Sequence, residues 1–155
     1  MIHMFRIAIM AAGALALLAC QPQDRRSGLW LSGEAAEFPA DWRFVEQHQE
    51  IAIQVSTPYL LPHSITIWCA HVDGRLYIAA GRAATKNWPG WVDDDPNVRL
   101  KIGDSTYEVV LVALEDPDRI RRVQERYAVK YDLGGGSGAG GGTRYWIVEP
   151  GRTGS

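Results

Sequence analysis

The chain has 155 residues, of which 46% are hydrophobic and 22% charged, and its 16 basic and 18 acidic side chains give a formal net charge of −2 at pH 7. This length fits one domain with a core of ordinary size. The slight acidic excess leaves no surplus of basic side chains to bind a phosphate backbone. The composition therefore excludes nucleic-acid binding that depends on net positive charge.

The first twenty residues have the pattern of a bacterial export signal. Arg6 precedes an apolar run over residues 7–18. A basic start and about 7–15 apolar residues are typical of a signal peptide, whereas a spanning helix needs about 20. The run ends in LLAC at positions 17–20, which resembles a bacterial lipobox. The resemblance implies that residues 1–19 are removed and that Cys20 becomes the acylated N-terminus, with membrane lipid as its partner.

The alternative is an ordinary secretory signal that contains a cysteine. Under the lipobox interpretation, Gln21 stands where an aspartate would favour retention in the inner membrane, so the expected location is the outer membrane, facing the periplasm. Residues 20–38 are then the acylated N-terminus and a polar tether, followed by a domain over residues 39–150 and a tail over 151–155. Cys69 is the one thiol left, so the monomer can form no internal disulfide.

The first predicted strands follow the tether. Glu50 to Thr57 alternates apolar and polar residues, as a strand with one wet face does. Ser64 to Val72 and Arg75 to Ala80 flank Asp73-Gly74, a dipeptide that favours a tight hairpin turn.

A second hairpin and a helix come next. Val98 to Ile102 and Ser105 to Leu114 flank Gly103-Asp104. Asp116-Pro117-Asp118 then offers an N-cap, a proline at the first helical position and an acid in the first turn. These signals predict an amphipathic helix from Pro117 to about Lys130.

The last part of the domain is a flexible loop and a strand. Gly134 to Gly142 (GGGSGAGGG) lacks the Lys-Ser/Thr pair of a phosphate loop and is interpreted as a flexible linker. Thr143 to Val148 predicts a closing strand. Many short antiparallel strands with one late helix indicate a mainly β fold, a small barrel with one amphipathic helix near the C-terminus.

A family resemblance covers about half of the mature chain. Residues 73–109 read DGRLYIAAGRAATKNWPGWVDDDPNVRLKIGDSTYEV. A strand, a basic connection that ends in lysine, a short helical turn, a DPxV step and a hairpin follow one another. This order resembles the flavin-binding split β-barrels of the pyridoxamine phosphate oxidase superfamily, including its deazaflavin-dependent nitroreductase-like branch. The ending over residues 145–150 is similar to the closing strand of that family.

The resemblance implies a cofactor site and a homodimer. It points to Arg82 and Lys86 as ligands of the phosphate of FMN or a deazaflavin, because arginine offers phosphate a fork of donors and lysine a point charge. Asn87 adds an amide donor, and Trp88 with Trp91 could form an aromatic wall for the flat ring. The alternatives are that the two bases are solvated loop charges and that the tryptophans seal the end of the barrel.

The sequence is compatible with two functions. One is an envelope lipoprotein whose barrel binds a flavin and takes part in a redox reaction; the other is a non-catalytic lipoprotein that uses the barrel to bind a partner or small ligand. The sequence names no catalytic acid or base.

The remaining candidates for chemistry are weak. His48, His63 and His71 lack metal-ligand spacing, although the resemblance allows His71 as a haem ligand. Residues 93–95 are three aspartates without the spacing of a calcium loop. Cys69 lies in an apolar strand and is expected to be buried and inert.

Overall fold

The computed structural model describes residues 26–134 and 142–151. The predicted signal peptide and Cys20 lie outside these residues, as do positions 135–141 of the glycine-rich loop. The described strands and helices are β1 (Arg26–Gly28), β2 (Glu34–Ala35), β3 (Ile51–Val55), β4 (His63–Ile67), β5 (Cys69–Val72), β6 (Arg75–Ala80), α1 (Trp88–Asp94), β7 (Asn97–Ile102), β8 (Ser105–Ala113), α2 (Pro117–Tyr131) and β9 (Arg144–Pro150). Two 3₁₀ turns cover Arg43–Gln47 and Ala83–Thr85.

The described strands form one sheet that curls into a split barrel. Its order is β1-β4-β3-β7-β8-β9-β6-β5, with β2 pairing in parallel with β8. Strands β4 and β5 stand near opposite ends of this path, yet only Trp68 separates them in sequence. The strand predicted over residues 64–72 is therefore two strands, β4 and β5. Between them, at Trp68, the chain passes from one end of the sheet to the other. The mainly β split-barrel fold predicted from the sequence is confirmed.

Local turn chemistry sets the two predicted hairpins. Asp73 and Gly74 have φ of 50° and 78°, and this pair of positive angles is what a two-residue hairpin turn requires. Gly103 has φ of 59° in the second hairpin. Both hairpins form where the dipeptides predict them, between β5 and β6 and between β7 and β8.

Two hydrophobic clusters share the wall made by β5, β6 and β9. Alternate residues of these strands face opposite sides, so both sides are buried. The inner cluster fills the barrel and includes Leu76, Ile78, Trp146 and Val148. The outer cluster includes Tyr77, Tyr145, Ile147, Val123 and Tyr127, the last two from α2.

Helix α2 begins and ends as its sequence predicts. The Asp116 side chain accepts hydrogen bonds from the backbone N–H groups of Asp118 (3.0 Å) and Arg119 (3.4 Å). Pro117 occupies the first turn. The helix ends at Tyr131, and Asp132 follows in the left-handed conformation with φ of 52°. The predicted helix is confirmed, and it covers the outer side of the barrel wall.

The polar tether expected over residues 20–38 differs from the structure in its described part. Residues 29–36, here called the strap, are hydrogen-bonded to residues of β4, β3, β7 and β8. The Leu31 N–H donates to Gln54 Oε1 (2.7 Å) on β3, and Lys101 Nζ of β7 donates to the Ser32 carbonyl (2.6 Å). At the turn before β8 the Glu34 N–H donates to the Asp104 carbonyl (2.9 Å), and on β8 the Thr106 carbonyl accepts from the Ala36 N–H (2.9 Å). In the described residues this segment is therefore attached to the barrel by hydrogen bonds.

None of the helices in the described ranges combines the length and the apolar character needed to cross a membrane.

Candidate cofactor site

The predicted phosphate-binding residues lie on the connection between β6 and α1. Arg82 is exposed and has φ of 49°, in the left-handed region that non-glycine residues seldom adopt. Its carbonyl accepts hydrogen bonds from the Thr85 N–H (2.9 Å) and the Thr85 hydroxyl (2.8 Å). The Ala83 N–H donates to the Gly142 carbonyl (2.9 Å), which fixes the connection to the chain just before β9. Arg82 is thus carried on a turn that is held at both ends.

The side chains of this connection differ in their exposure. Asn87 is exposed like Arg82, whereas Lys86 is half-buried and makes contacts of its own. Backbone amides often complete a phosphate site in proteins. The amides of Ala83, Thr85 and Lys86 instead donate within the protein. A phosphate at this turn would rely mainly on side chains.

Trp88 lies in the barrel core. Its side chain is 3% exposed and packs against Trp146 with ring centroids 5.1 Å apart. The geometry matches the alternative in which this tryptophan seals the barrel, because a ring buried on both faces offers no surface to a flat ligand. Its Nε1 has no hydrogen-bond partner among the described residues, but the same is true of Trp42 and Trp68. The unpaired indole N–H of Trp88 therefore does not indicate a ligand site at this connection.

The other tryptophan of α1 is more accessible. Trp91 is half-buried and meets Tyr59 and His63 edge-to-face, with ring centroids 5.8 and 5.3 Å apart. It lines a shallow pocket of about 210 Å³ together with Ser56, Thr57, Pro58, Asp94 and Asp95. Small-molecule sites usually measure about 300–1,000 Å³. This pocket is too small to enclose a flavin in the single chain.

Two of the three consecutive aspartates, Asp93 and Asp95, attach the end of α1 to neighbouring segments. Asp93 accepts two hydrogen bonds from the Arg144 guanidinium, at 2.7 and 2.8 Å, and these bonds lower the pKa of the Asp93 carboxyl. The same guanidinium lies over the Trp146 ring, 4.9 Å from its centroid. Asp95 accepts from Asn97 and from the Ser56 hydroxyl (2.8 Å), which lowers its pKa as well. No sequence pattern indicated the Arg144 contact, which joins residues 51 positions apart.

The histidines and the buried cysteine do not form a reactive cluster. The Nε2 atom of His71 accepts a hydrogen bond from the Gly74 N–H (3.0 Å) and lies 3.3 Å from Asp41 Oδ1, so a haem iron bound at this nitrogen would have to displace both contacts. Within the described residues, no three His, Cys, Asp or Glu side chains are grouped to hold a metal ion. Cys69 is fully buried, as expected.

Comparison with known proteins gives a family and a fold. Residues 42–141 match the family described as an uncharacterized protein conserved in bacteria, DUF2255. No curated protein matches the chain.

Solved structures with the same fold share little sequence. A conserved hypothetical protein from Mycobacterium tuberculosis is 17% identical with a TM-score of 0.59, over 78% of this chain and 86% of that one. A Listeria innocua protein proposed to be a pyridoxamine 5′-phosphate oxidase is 18% identical with a TM-score of 0.55, over 70% and 88%. A FAD-binding protein from Mesorhizobium loti is 10% identical with a TM-score of 0.51, over 70% and 83%. At these identities the likeness establishes the split-barrel fold.

Proposed function

Since this chain belongs to the DUF2255 family and has the split β-barrel described above, we propose that it is a lipid-anchored envelope protein whose barrel binds a flavin-type cofactor, FMN or a deazaflavin. The FAD-binding protein of the same fold supports the choice of ligand class. The lipobox at residues 17–20 supports the anchor.

The observation that carries the cofactor proposal is the placement of Arg82. An exposed guanidinium stands on a turn in the left-handed conformation, which is hydrogen-bonded internally and attached to Gly142. Such backbone strain is concentrated at functional sites in proteins. The guanidinium can present a fork of donors to a phosphate, with Asn87 exposed on the same connection.

The side chains on this connection fit the phosphate of the cofactor. Trp88 does not fit the role of a wall for the flavin ring, because it is buried in the core. Arg82, Lys86 and Asn87 would hold the phosphate, while Trp88 supports the turn from within the core. A bound flavin supplies two-electron redox chemistry itself, and the protein contributes position and electrostatics. The homodimer implied by the family resemblance stays a prediction.

The second candidate function is a non-catalytic barrel that binds a partner or small ligand. It is favoured by the burial of Trp88 and by the small volume of the pocket beside Trp91, since neither provides a wall for a flavin ring. The two functions differ in one measurable property, the affinity of the protein for FMN.

Titration with FMN distinguishes them. We expect FMN fluorescence to be quenched at micromolar protein, and the double variant Arg82→Ala, Lys86→Ala to bind at least about tenfold more weakly, because charge-assisted hydrogen bonds contribute about 1.5–3 kcal/mol each. Riboflavin, which lacks the phosphate, should bind both proteins equally. Arg121→Ala removes an exposed arginine from α2 and should leave FMN affinity unchanged. Absence of both quenching and a bound chromophore contradicts the flavin proposal and favours the second function.

The anchor is tested by replacing the lipobox cysteine. Cys20→Ser should leave the precursor uncleaved and without acyl chains, since the thioether needs the cysteine sulfur. Mass spectrometry of the protein from bacterial membranes measures this directly. A Cys20→Ser protein with the normal mature mass and membrane fractionation would contradict the anchor.

A further inference from the structure

Two neighbouring surface segments of the barrel domain carry no charged side chain. They are residues 27–33 (SGLWLSG) and residues 56–62 (STPYLLP), the second of which lies within an uncharged stretch over residues 51–72. The second segment connects β3 to β4, and the first follows the pairing of β1 with β4. The Ser64 hydroxyl donates to the Leu29 carbonyl (3.1 Å), so both segments meet at the beginning of β4.

These segments hold most of the exposed apolar side chains. Seven large hydrophobic side chains are exposed in the described residues, and five of them are here, between 48% and 93% exposed. We name these five the loop patch: Leu29, Trp30, Tyr59, Leu60 and Leu61. Scattered apolar side chains are normal on a surface, but a concentration of this kind marks an interaction site.

The turn at Leu60 holds a large apolar side chain in water. Leu60 is 93% exposed and has φ of 64°, a conformation that favours glycine. The turn is fixed by a hydrogen bond from the Leu60 N–H to the Thr57 carbonyl (3.3 Å) and one from the Thr57 hydroxyl to the Leu61 carbonyl (2.5 Å). Nothing in the described chain covers this leucine.

We propose that the loop patch docks the barrel on the lipid bilayer to which Cys20 attaches the chain; this rests on the proposed lipid anchor. Leu29 follows Cys20 by nine residues, and an extended chain spans at most about 3.6 Å per residue. The patch is therefore held within about 30 Å of the acylated residue, a distance comparable with the thickness of the bilayer core.

The side chains of the patch suit a lipid interface. Tryptophan and tyrosine favour the headgroup level, where one end of the ring is apolar and the other wet. The three leucines can enter the acyl boundary, and the two segments have no charge to desolvate. Residues 21–28, between the anchor and the patch, carry Asp24, Arg25 and Arg26, and their formal net charge of +1 adds a small attraction to anionic headgroups.

The test uses the full-length acylated protein, reconstituted in vesicles of phosphatidylcholine and phosphatidylglycerol. An environment-sensitive fluorophore is attached to Leu60→Cys or, as a control, to Val129→Cys, which replaces a valine 71% exposed on α2. Cys69 is buried and Cys20 acylated, so the introduced thiol is the reactive one. We expect a blue shift and quenching by nitroxide-bearing lipids at Leu60, and neither at Val129.

Docking of the loop patch can also be measured without a label, from the tryptophan emission of the protein. Vesicles of brominated lipid should quench tryptophan emission of the wild-type protein more than that of Trp30→Phe, because Trp42, Trp88 and Trp146 are buried in the inner cluster.

Equal emission of the two labels, or a Leu60 label that stays in water, overturns the docking while leaving an acylated protein and its anchor intact. Protection of Leu60 that depends on protein concentration and not on lipid also overturns it, in favour of contact between copies of the chain. An unacylated mature mass contradicts the anchor and the docking together.

Discussion

Cys69 lies where the last turn of α2 meets β5. Lys130 Nζ donates to the carbonyls of Val45 and Cys69, both at 3.0 Å, and stands 3.5 Å from Cys69 Sγ. The Tyr131 hydroxyl accepts from the Cys69 N–H (3.0 Å). Burial raises the pKa of the Cys69 thiol to about 11, and the nearby Lys130 ammonium offsets only part of this effect. The thiol is therefore neutral near pH 7 and a poor nucleophile.

Because of this raised pKa, the free energy of unfolding depends on pH in the alkaline range. Above pH 9 the unfolded chain loses the thiol proton while the folded chain keeps it up to about pH 11, so the unfolded state gains free energy of ionisation that the folded state does not. We expect the contribution of Cys69 to the free energy of unfolding to be complete below pH 9. Between pH 9 and 11 it should fall by about 1.4 kcal/mol for each pH unit.

Cys69→Ala isolates this contribution, because the buried tyrosines titrate in both proteins. Urea unfolding at several pH values measures the difference in stability between the wild type and the variant. A difference that stays constant from pH 8 to 10.5 would show that the thiol ionises equally in both states.

At the scale of elements, the strap is a part of the fold that local sequence rules did not indicate. Its backbone is held by side chains that belong to distant strands, such as Gln54 and Lys101. Gly33 lies where this segment comes closest to the barrel: a Cβ atom there would stand 2.5 Å from the Asp104 carbonyl oxygen. Only glycine permits that approach without moving the backbone of either segment.

Gly33→Ala should therefore destabilise the protein by about 1–3 kcal/mol, the usual cost of forcing extra volume into a packed contact. Gly90→Ala is the matched control, since its Cβ would meet nothing within 4 Å and Gly90 lies inside α1. That substitution should stabilise the protein by about 0.5–1 kcal/mol through helix propensity. Urea midpoints of the two variants measure both effects, and a Gly33→Ala protein as stable as the wild type would contradict the close contact.

The elements that could be predicted are those with local signals. Asp73-Gly74 fixes a hairpin through its own backbone angles, and Asp116-Pro117 fixes the beginning of α2 through a cap. The interruption at Trp68 and the strap depend on contacts with distant strands, which leave no periodic trace in the sequence. The same reason applies to the site: the family resemblance pointed to Arg82, but whether Trp88 faces a ligand or the core depends on Trp146, 58 positions away in sequence.

At the scale of the whole molecule, the two hydrophobic clusters are coupled because one wall separates them. Strands β6 and β9 give alternate side chains to each cluster, so loss of the outer packing also weakens the strands that enclose the inner one. The Tyr127 hydroxyl strengthens the link, since it lies within hydrogen-bonding distance of the carbonyls of Trp68 (3.1 Å) and Tyr77 (3.2 Å). The barrel and α2 should therefore unfold together.

Val123→Ala tests this coupling from the outer side. Val123 is fully buried under α2, and its truncation should lower the free energy of unfolding by about 2 kcal/mol with an unchanged denaturant slope. Helical circular dichroism reports α2, whereas tryptophan emission reports mainly the inner cluster, because four of the six tryptophans lie in it or pack against it. Both midpoints should shift equally, because a two-state transition gives the same curve with every probe. Val129→Ala, at an exposed position of the same helix, should change stability by less than about 0.5 kcal/mol. If the helical circular dichroism is lost before the tryptophan emission changes, α2 unfolds separately and the barrel stays folded without it.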